Sequence, residues 1–309
     1  ALNRIKRFCQ HIRVSVLSDM FSHISSGPEA DQCHSIWERL TYELSTDAIL
    51  RRAEETQDHS TLVEYIDDMV LLPAGTFYQG GPQISSSAER PRHQVKISNS
   101  FWVGQTAVTH RLWETVMGDG KGRDSGLEPK AEVSWFEALH FCNRLSEQSQ
   151  LEPVYKIEDH QLPRVIYKTS SSGFRLLTES EWEYACLGGQ RTSLTAPPFS
   201  PIPAWTQQRS QLKVHPVAQL FPNQWGLYDC LGNVAEWCQD EYHAHAYQER
   251  RRLTSDPCEY HSDGGERVIR GGAFDSVEYL VTPSRRDACR PQKRWSSIGF
   301  RVARSHQSK

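Results

Sequence analysis

From Asp68 onward the apolar residues fall in short runs broken by Gly, Pro and polar residues, and the aromatics follow no fixed period. No internal repeat is present that would make a solenoid or a propeller. Such a texture predicts short strands, long connections and a few helices, that is, an α+β domain. The strand candidates are Met69 to Leu72, Thr76 to Gln79, His93 to Ile97 and Phe101 to Gln105. The helix candidates are Thr109 to Met117, Ser134 to Glu147 and Thr178 to Leu187. Two of these helices carry start signals, because Ser134 is followed three residues later by Glu137 and Thr178 by Glu181, the spacing of a capping box. The four prolines between Ser193 and Pro203 predict a loop.

The residues before this domain read differently. Ile5, Phe8, Ile12, Val16 and Met20 recur at helical steps, as do Ile36, Trp37, Leu40 and Leu44, and a further helix is predicted from Ser45 to Arg52 with Ser45 or Thr46 as its cap. Residues 1–67 are therefore expected to be a helical extension, used for packing, oligomerisation or docking of a partner.

The 35 basic and 38 acidic side chains leave a formal charge of −3, which argues against nucleic acid as a partner. With 38% hydrophobic residues and 9 Trp the chain has the material for a core. No apolar run is long enough to span a membrane. The eight cysteines, Cys9, Cys33, Cys142, Cys186, Cys230, Cys238, Cys258 and Cys289, contain no CxxC spacing. Reduced thiols and a cytoplasmic setting are expected. Because residue 1 is Ala, a processed or trimmed start leaves a surface or secreted form open.

Several segments then follow in a telling order. Met-Val-Leu-Leu-Pro-Ala-Gly-Thr-Phe occupies 69–77, Glu-Arg-Pro-Arg-His-Gln-Val 89–95, and Phe-Trp-Val-Gly-Gln-Thr-Ala-Val-Thr 101–109. Next come Val-Ser-Trp-Phe-Glu-Ala at 133–138, Phe-Cys-Asn-Arg-Leu at 141–145 and Phe-Arg-Leu-Leu-Thr-Glu-Ser-Glu-Trp-Glu-Tyr-Ala at 174–185. Asn-Gln-Trp-Gly-Leu-Tyr-Asp at 223–229 runs into Gly-Asn-Val-Ala-Glu-Trp at 232–237, and the chain closes with Arg-Val-Ile-Arg-Gly-Gly-Ala-Phe at 267–274 and Ile-Gly-Phe-Arg-Val at 298–302. Together they resemble the formylglycine-generating-enzyme (sulfatase-modifying factor) family over 68–304, leaving 305–309 as a tail. The resemblance implies a C-type-lectin-like fold with little regular structure. Within it, Gly271 and Gly272 would make a turn, Trp182 and Tyr184 would be buried, and Arg175 and Arg301 would each pin a loop carboxylate.

The family's enzymes oxidise a substrate cysteine with two copper(I)-binding cysteines, six and eleven residues beyond the Arg that precedes the Gly-Gly turn. Counted from Arg270, those positions are Ser276 and Val281. Neither side chain offers a soft thiolate, and Cys289 lies too far along the chain to replace them, so the resemblance implies no copper and no catalysis by that route. An iron-dependent branch of the family carries a His-x3-His-x-Glu site in a helical module. His11, His23, His34 and His59 do not reproduce that spacing, and no iron is expected. His243, His245 and Glu249 are read as an exposed loop rather than a ligand set. The family also holds Ca2+, which carries over here to the carbonyls of Gly232 and Val234 and the carboxylate of Glu236. Glu236 either ligates calcium or caps backbone amides, and Ala235 stands where the family has a large aromatic. The family's other calcium signature, Pro-Trp-Gly, is missing from 188–203.

One non-enzymatic branch, the variable proteins of diversity-generating retroelements, diversifies the segment after the Gly-Gly turn through adenines, chiefly in AAY codons. Such codons never yield Glu, Lys, Gln, Met or Trp, and between Ala273 and Arg290 only Glu278 breaks that rule. The expected function is therefore a non-catalytic module that binds a protein or a small ligand. Its surface would lie in 273–295 and use Phe274, Asp275, Ser276, Glu278, Tyr279, Arg286, Asp287, Arg290 and Trp295. Arg290 and Trp295 are also expected to be structural. The alternatives are an enzyme of the superfamily that uses chemistry other than cysteine, and a sensor or adaptor in a defence or signalling assembly.

Overall fold

The computed structural model of the chain describes residues 59–118, 126–158, 164–189, 204–250, 253–259 and 264–306. The helices expected over 1–52 and the loop at 193–203 lie outside the described residues. Helix α1 (His59–Asp67) opens the described chain and contributes Leu62, Tyr65 and Ile66 to the core of the unit that runs from Leu62 onward.

One sheet brings together β1 (Val70–Leu72), β4 (Phe101–Val103), β13 (Val302–Ser305) and β7 (Phe174–Leu176), in that order. All its pairs are antiparallel, with Val103 opposite both Val70 and Ala303. The strand expected over Phe101 to Gln105 stops at Val103. There the Gly104 amide turns to the Val302 carbonyl, and Arg301 gathers the carbonyls of Gly104 and Gln105 at 3.0 and 2.6 Å. A three-stranded sheet joins β2 (Gly75–Gln79), β3 (His93–Ile97) and β9 (Thr254–Ser255), and β5 (Tyr155–Glu158) pairs with β6 (Arg164–Tyr167).

The capping boxes act as the sequence predicts, and the structure adds a cap at Thr109, which starts α2 (His110–Met117) by accepting from the Leu112 amide. Complete capping boxes start α3 (Trp135–Gln148) at Ser134 and Glu137, and α4 (Glu179–Cys186) at Thr178 and Glu181. Each cap is worth about 1 kcal/mol. Arg175 does hold a carboxylate in a fork, but that carboxylate is Glu181 in the first turn of α4 rather than one on a loop, with contacts of 2.6 and 2.8 Å.

The sheet that positions the site runs β11 (Asp287–Cys289), β10 (Arg267–Arg270), β8 (Ala235–Glu241), β12 (Ile298–Phe300). Two indoles lock it to α3. Trp237 Nε1 donates to the Val133 carbonyl and Trp135 Nε1 to the Cys238 carbonyl, both at 2.9 Å. Around them Trp113 stacks on Phe141 with centroids 5.4 Å apart, and Phe300 meets both rings edge-on. Such ring pairs add about 0.5–1.5 kcal/mol each beyond area burial. A short α5 (Ala246–Glu249) follows β8 and delivers the buried Tyr247.

Candidate functional site

Beneath the turn that ends β10 lies a buried lattice of charges. Helix α4 presents Glu179 and Glu183 one turn apart on its inward face, and both are buried. Arg270, the last residue of β10, meets Glu179 Oε1 at 2.8 Å and Glu183 Oε2 at 2.5 Å. Arg286 reaches the same Glu179 with two contacts of 2.6 and 2.9 Å. It also donates to the carbonyls of Ala88 and His243. Burial alone would raise the Glu179 carboxyl, but Arg286 and Arg270 together hold it down at about 2. Glu183 is raised, because its burial outweighs Arg270. Nearby Asp240 is pushed up to about 7 by burial and then by Glu179, although it accepts from the Glu179 and Glu259 amides.

This lattice corrects the expectation for Arg286. It is 3% exposed and committed to Glu179, so it is a strut of the scaffold and not part of a ligand-facing surface. The neighbouring Arg285 faces outward instead and forks onto Asp287 at 2.7 to 3.1 Å.

Gly271 and Gly272 both adopt left-handed backbone, with φ of 93° and 68°. A Cβ on Gly272 would sit 2.9 Å from Val281 Cγ2 and 3.5 Å from Ser276 Cβ. The structure thus brings the two positions that match the family's cysteines to one side of the turn, and they hold a hydroxyl and an isopropyl group. The Ser276 hydroxyl accepts from the Ala273 amide at 2.9 Å, an ordinary turn cap. No thiolate pair is available there.

Alongside the turn, a cleft of about 440 Å³ runs over β10 and the edge strand β11. It gathers Asp275, Ser276, Asp287, Arg290 and Trp295 from the expected surface, and adds Cys289, Lys293 and Glu266. Trp295 is 54% exposed, Asp275 and Arg290 are exposed, and Ala273 and Ile298 lie buried at its base. Phe274, Glu278 and Tyr279 do not line this cleft. Tyr279 is 77% exposed, Glu278 pairs with Arg209 at 2.8 Å on the surface, and Phe274 is half-buried. The Phe274 carbonyl accepts from Ser210 Oγ at 2.7 Å.

The residues carried over for calcium do other work. Glu236 is 1% exposed; its Oε1 lies 2.9 Å from Arg301 Nη2, and its Oε2 accepts from Trp182 Nε1 at 2.8 Å. Arg301 Nε contacts both oxygens. With its acceptor positions taken by a guanidinium and an indole, Glu236 does not fit a calcium ligand set with the Gly232 and Val234 carbonyls. Gly232 lies against Trp205, whose carbonyl would be 2.4 Å from a Cβ at that position. Asn233 clamps the His215 backbone through both ends of its amide. His243 and His245 are exposed, with ring centroids 6.4 Å apart, and His245 contacts Gln248. Among the described residues no three His, Cys, Asp or Glu side chains are grouped to hold a metal ion.

The sulfatase-modifying factor enzyme 1-like domain model matches residues 55–306. The chain belongs to this family. It is 32% identical to the chaperone protein LppX of Paenibacillus barcinonensis over 58% of this chain and 73% of that protein. It is 27% identical to the formylglycine-generating enzyme of Streptomyces coelicolor over 76% of this chain and 88% of the enzyme. It covers only 41% of the serine/threonine-protein kinase pkn1 of Chlamydia caviae, at 28% identity over 83% of this chain. In fold it is similar to Treponema denticola variable protein 1, with a TM-score of 0.63 and 29% identity over 76% of this chain and 94% of that one. The C-type-lectin-like fold and the family read from the sequence are thereby established. No helix of the described residues is long and apolar enough to cross a membrane.

Sequence reasoning missed the acidic pair of α4. The available signal was Glu179 and Glu183 at i, i+4 between apolar Leu177, Trp182 and Ala185. Two carboxylates on an otherwise apolar face require buried cations, and Arg270 was the residue to suspect.

Proposed function

We propose that this family domain is a non-catalytic binding module that takes a protein or small ligand on the cleft and loop surface of 273–295, in the manner of a retroelement-diversified variable protein. The observation that carries this reading is the convergence of Ser276 and Val281 on Gly272. The family's paired thiols are replaced by groups that neither bind a soft metal nor move electrons. What remains is a changeable rim, with Asp275, Arg290 and Trp295 around an apolar base, set on a locked scaffold. Exposed aromatic and charged side chains on a rigid frame are suited to recognition. The likeness to a variable protein supports the reading.

The other reading, an enzyme that uses different groups of the same cleft, is motivated by the formylglycine-generating enzymes among the relatives. One assay separates the two. Purified protein supplied with copper, oxygen and a cysteine-containing sulfatase peptide is expected to give no aldehyde product, and sustained turnover would overturn the proposal. Sequencing the DNA around the gene tests the finer part. A near-copy of the codons for 273–295, differing only at adenines and beside a reverse transcriptase gene, is expected, and its absence removes diversification from the account.

A further inference from the structure

The four-stranded sheet that carries the Gly271–Gly272 turn has two edges, and they differ. At β12 the edge is closed, because the Val108 amide donates to the Phe300 carbonyl at 2.9 Å, and a Cβ on Gly299 would lie 2.9 Å from the Lys130 carbonyl oxygen. At β11 it is open. Among the described residues the backbone of 287–289 makes no hydrogen bond beyond its pairing with β10.

The cleft of about 440 Å³ reaches this open edge. Asp287 and Cys289 share one face of the strand, while Ala288 stands opposite buried Val268 and belongs to the other face. All three nevertheless line the cleft, so it follows the edge of the strand as well as one face. Unpaired backbone groups beside an open cleft form a template for another extended chain.

Charge is sorted along the strand. Asp275 lies beyond the turn that follows Ile269, the residue opposite Asp287, and so marks the end where β11 begins. Arg290 follows Cys289 directly, and the Lys293 amide donates to the Arg290 carbonyl at 3.0 Å, so two cations mark the other end. Glu266, next to Arg267 and hence near Cys289, offsets one of them. Asp287 is already held by Arg285. Asp275, Arg290 and Lys293 are exposed and make no ion pair among the described residues.

We propose that β11 accepts an extended segment of a partner protein as a fifth strand of this sheet, with a cationic side chain of the segment at the Asp275 end and an anionic one at the Arg290 and Lys293 end. The proposal rests on the reading of the cleft as a binding surface and names its occupant. Main-chain hydrogen bonds to β11 supply affinity, and the two charged ends with the buried Ala273 and Ile298 between them select the side chains.

The test titrates three fluorescent six-residue peptides, blocked at both ends, into the full chain and reads anisotropy. They are Lys-Val-Thr-Val-Thr-Glu, Lys-Val-Thr-Val-Thr-Lys and Glu-Val-Thr-Val-Thr-Glu. The mixed-charge peptide is expected to bind about tenfold or more tightly than either of the others, and to slow amide exchange at 287–289. Successive N–H groups of a strand point to opposite sides. N-methylation of either the two Val or the two Thr amides should therefore abolish binding, while the other set leaves it nearly unchanged. In the double variant Arg290→Glu with Lys293→Glu, the Lys…Lys peptide should become the preferred one. A mixed-charge peptide that does not bind, binding that tolerates both sets of N-methyl groups, or a double variant that keeps the wild-type order would each overturn the proposal. Turnover of the sulfatase peptide would sink the non-catalytic reading and leave these titrations to decide the strand. A chain that gives no aldehyde and binds none of the three peptides loses the strand alone.

Discussion

Arg286 and Tyr279 stand in the same segment beyond the Gly271–Gly272 turn, yet they belong to two different regions of the molecule. Arg286 reaches inward to a lattice whose every carboxylate and guanidinium is buried and paired. Tyr279, with Asp275, Glu278 and Trp295, faces solvent or a cleft and carries little of the fold. The contrast teaches how one segment serves two purposes. Its buried residues, among them Ala273, Ser284, Arg286 and Cys289, anchor it, and exposed residues such as Asp275 and Tyr279 face away from the core. Burying charges does not by itself favour folding, since desolvation offsets much of the attraction, but removing one partner strands the other.

The comparison breaks most visibly if the lattice is cut. Arg270→Ala leaves both Glu179 and Glu183 short of a cation, so it is expected to destabilise by about 3–5 kcal/mol in denaturant titration. Glu179→Gln should come close behind, because it feeds both Arg270 and Arg286. A loss below about 1 kcal/mol for either would mean that the lattice is not what holds the turn.

Acidity sharpens the same point, with opposite signs for two carboxyls. Glu179 sits at about 2 in the fold against an ordinary 4.5, so its contribution is complete above 4.5 and is lost as pH falls toward 2. Asp240 sits at about 7 against 3.8, so its contribution is complete below 3.8 and is lost as pH rises through 7. Unfolding free energy measured across pH is expected to decline between about 4 and 7, and in Asp240→Asn that decline should shrink to the part that Glu183 contributes. A wild-type profile flat across this window would contradict a buried Asp240 whose burial outweighs its amide donors.

How much of this was legible in the sequence depended on how local the cause was. The caps at Ser134 and Thr178 were legible because donor and acceptor lie within one turn. So was the Gly271–Gly272 turn, whose left-handed backbone only glycine adopts at no cost. The strands β8, β10 and β11 were not legible. The first four residues of β8 are all buried, so no alternation of faces marks it. Arg286 was misread as a surface residue because Ser284, Arg285, Arg286 and Asp287 look like a polar loop. Its partner Glu179 is 107 residues away, and no local pattern reports such a contact. The contacts of Glu236 were hidden in a similar way. Its spacing fits the family's calcium segment, and only the fold shows Arg301 and Trp182 holding its carboxylate.

At the rim the expected effects on stability are small. Asp275→Ala, Tyr279→Ala and Trp295→Ala should each change stability by about 0.5 kcal/mol or less. At the cleft, Asp275→Ala and Trp295→Ala should weaken binding of a cognate ligand about tenfold or more. The exposed Arg209–Glu278 pair is comparably weak, and its removal by Glu278→Ala should cost about 0–1 kcal/mol and less in high salt.

The central claim is that a locked lattice carries a replaceable surface. Thermal melts of two variants test it most directly, one with Asp275, Glu278, Tyr279 and Trp295 all changed to alanine and the other with Arg286→Ala alone. The account predicts that the fourfold variant melts within about 5 °C of wild type, and that the single variant falls by about 6–20 °C. A fourfold variant that loses as much as Arg286→Ala would contradict it, because the surface would then be part of what holds the fold.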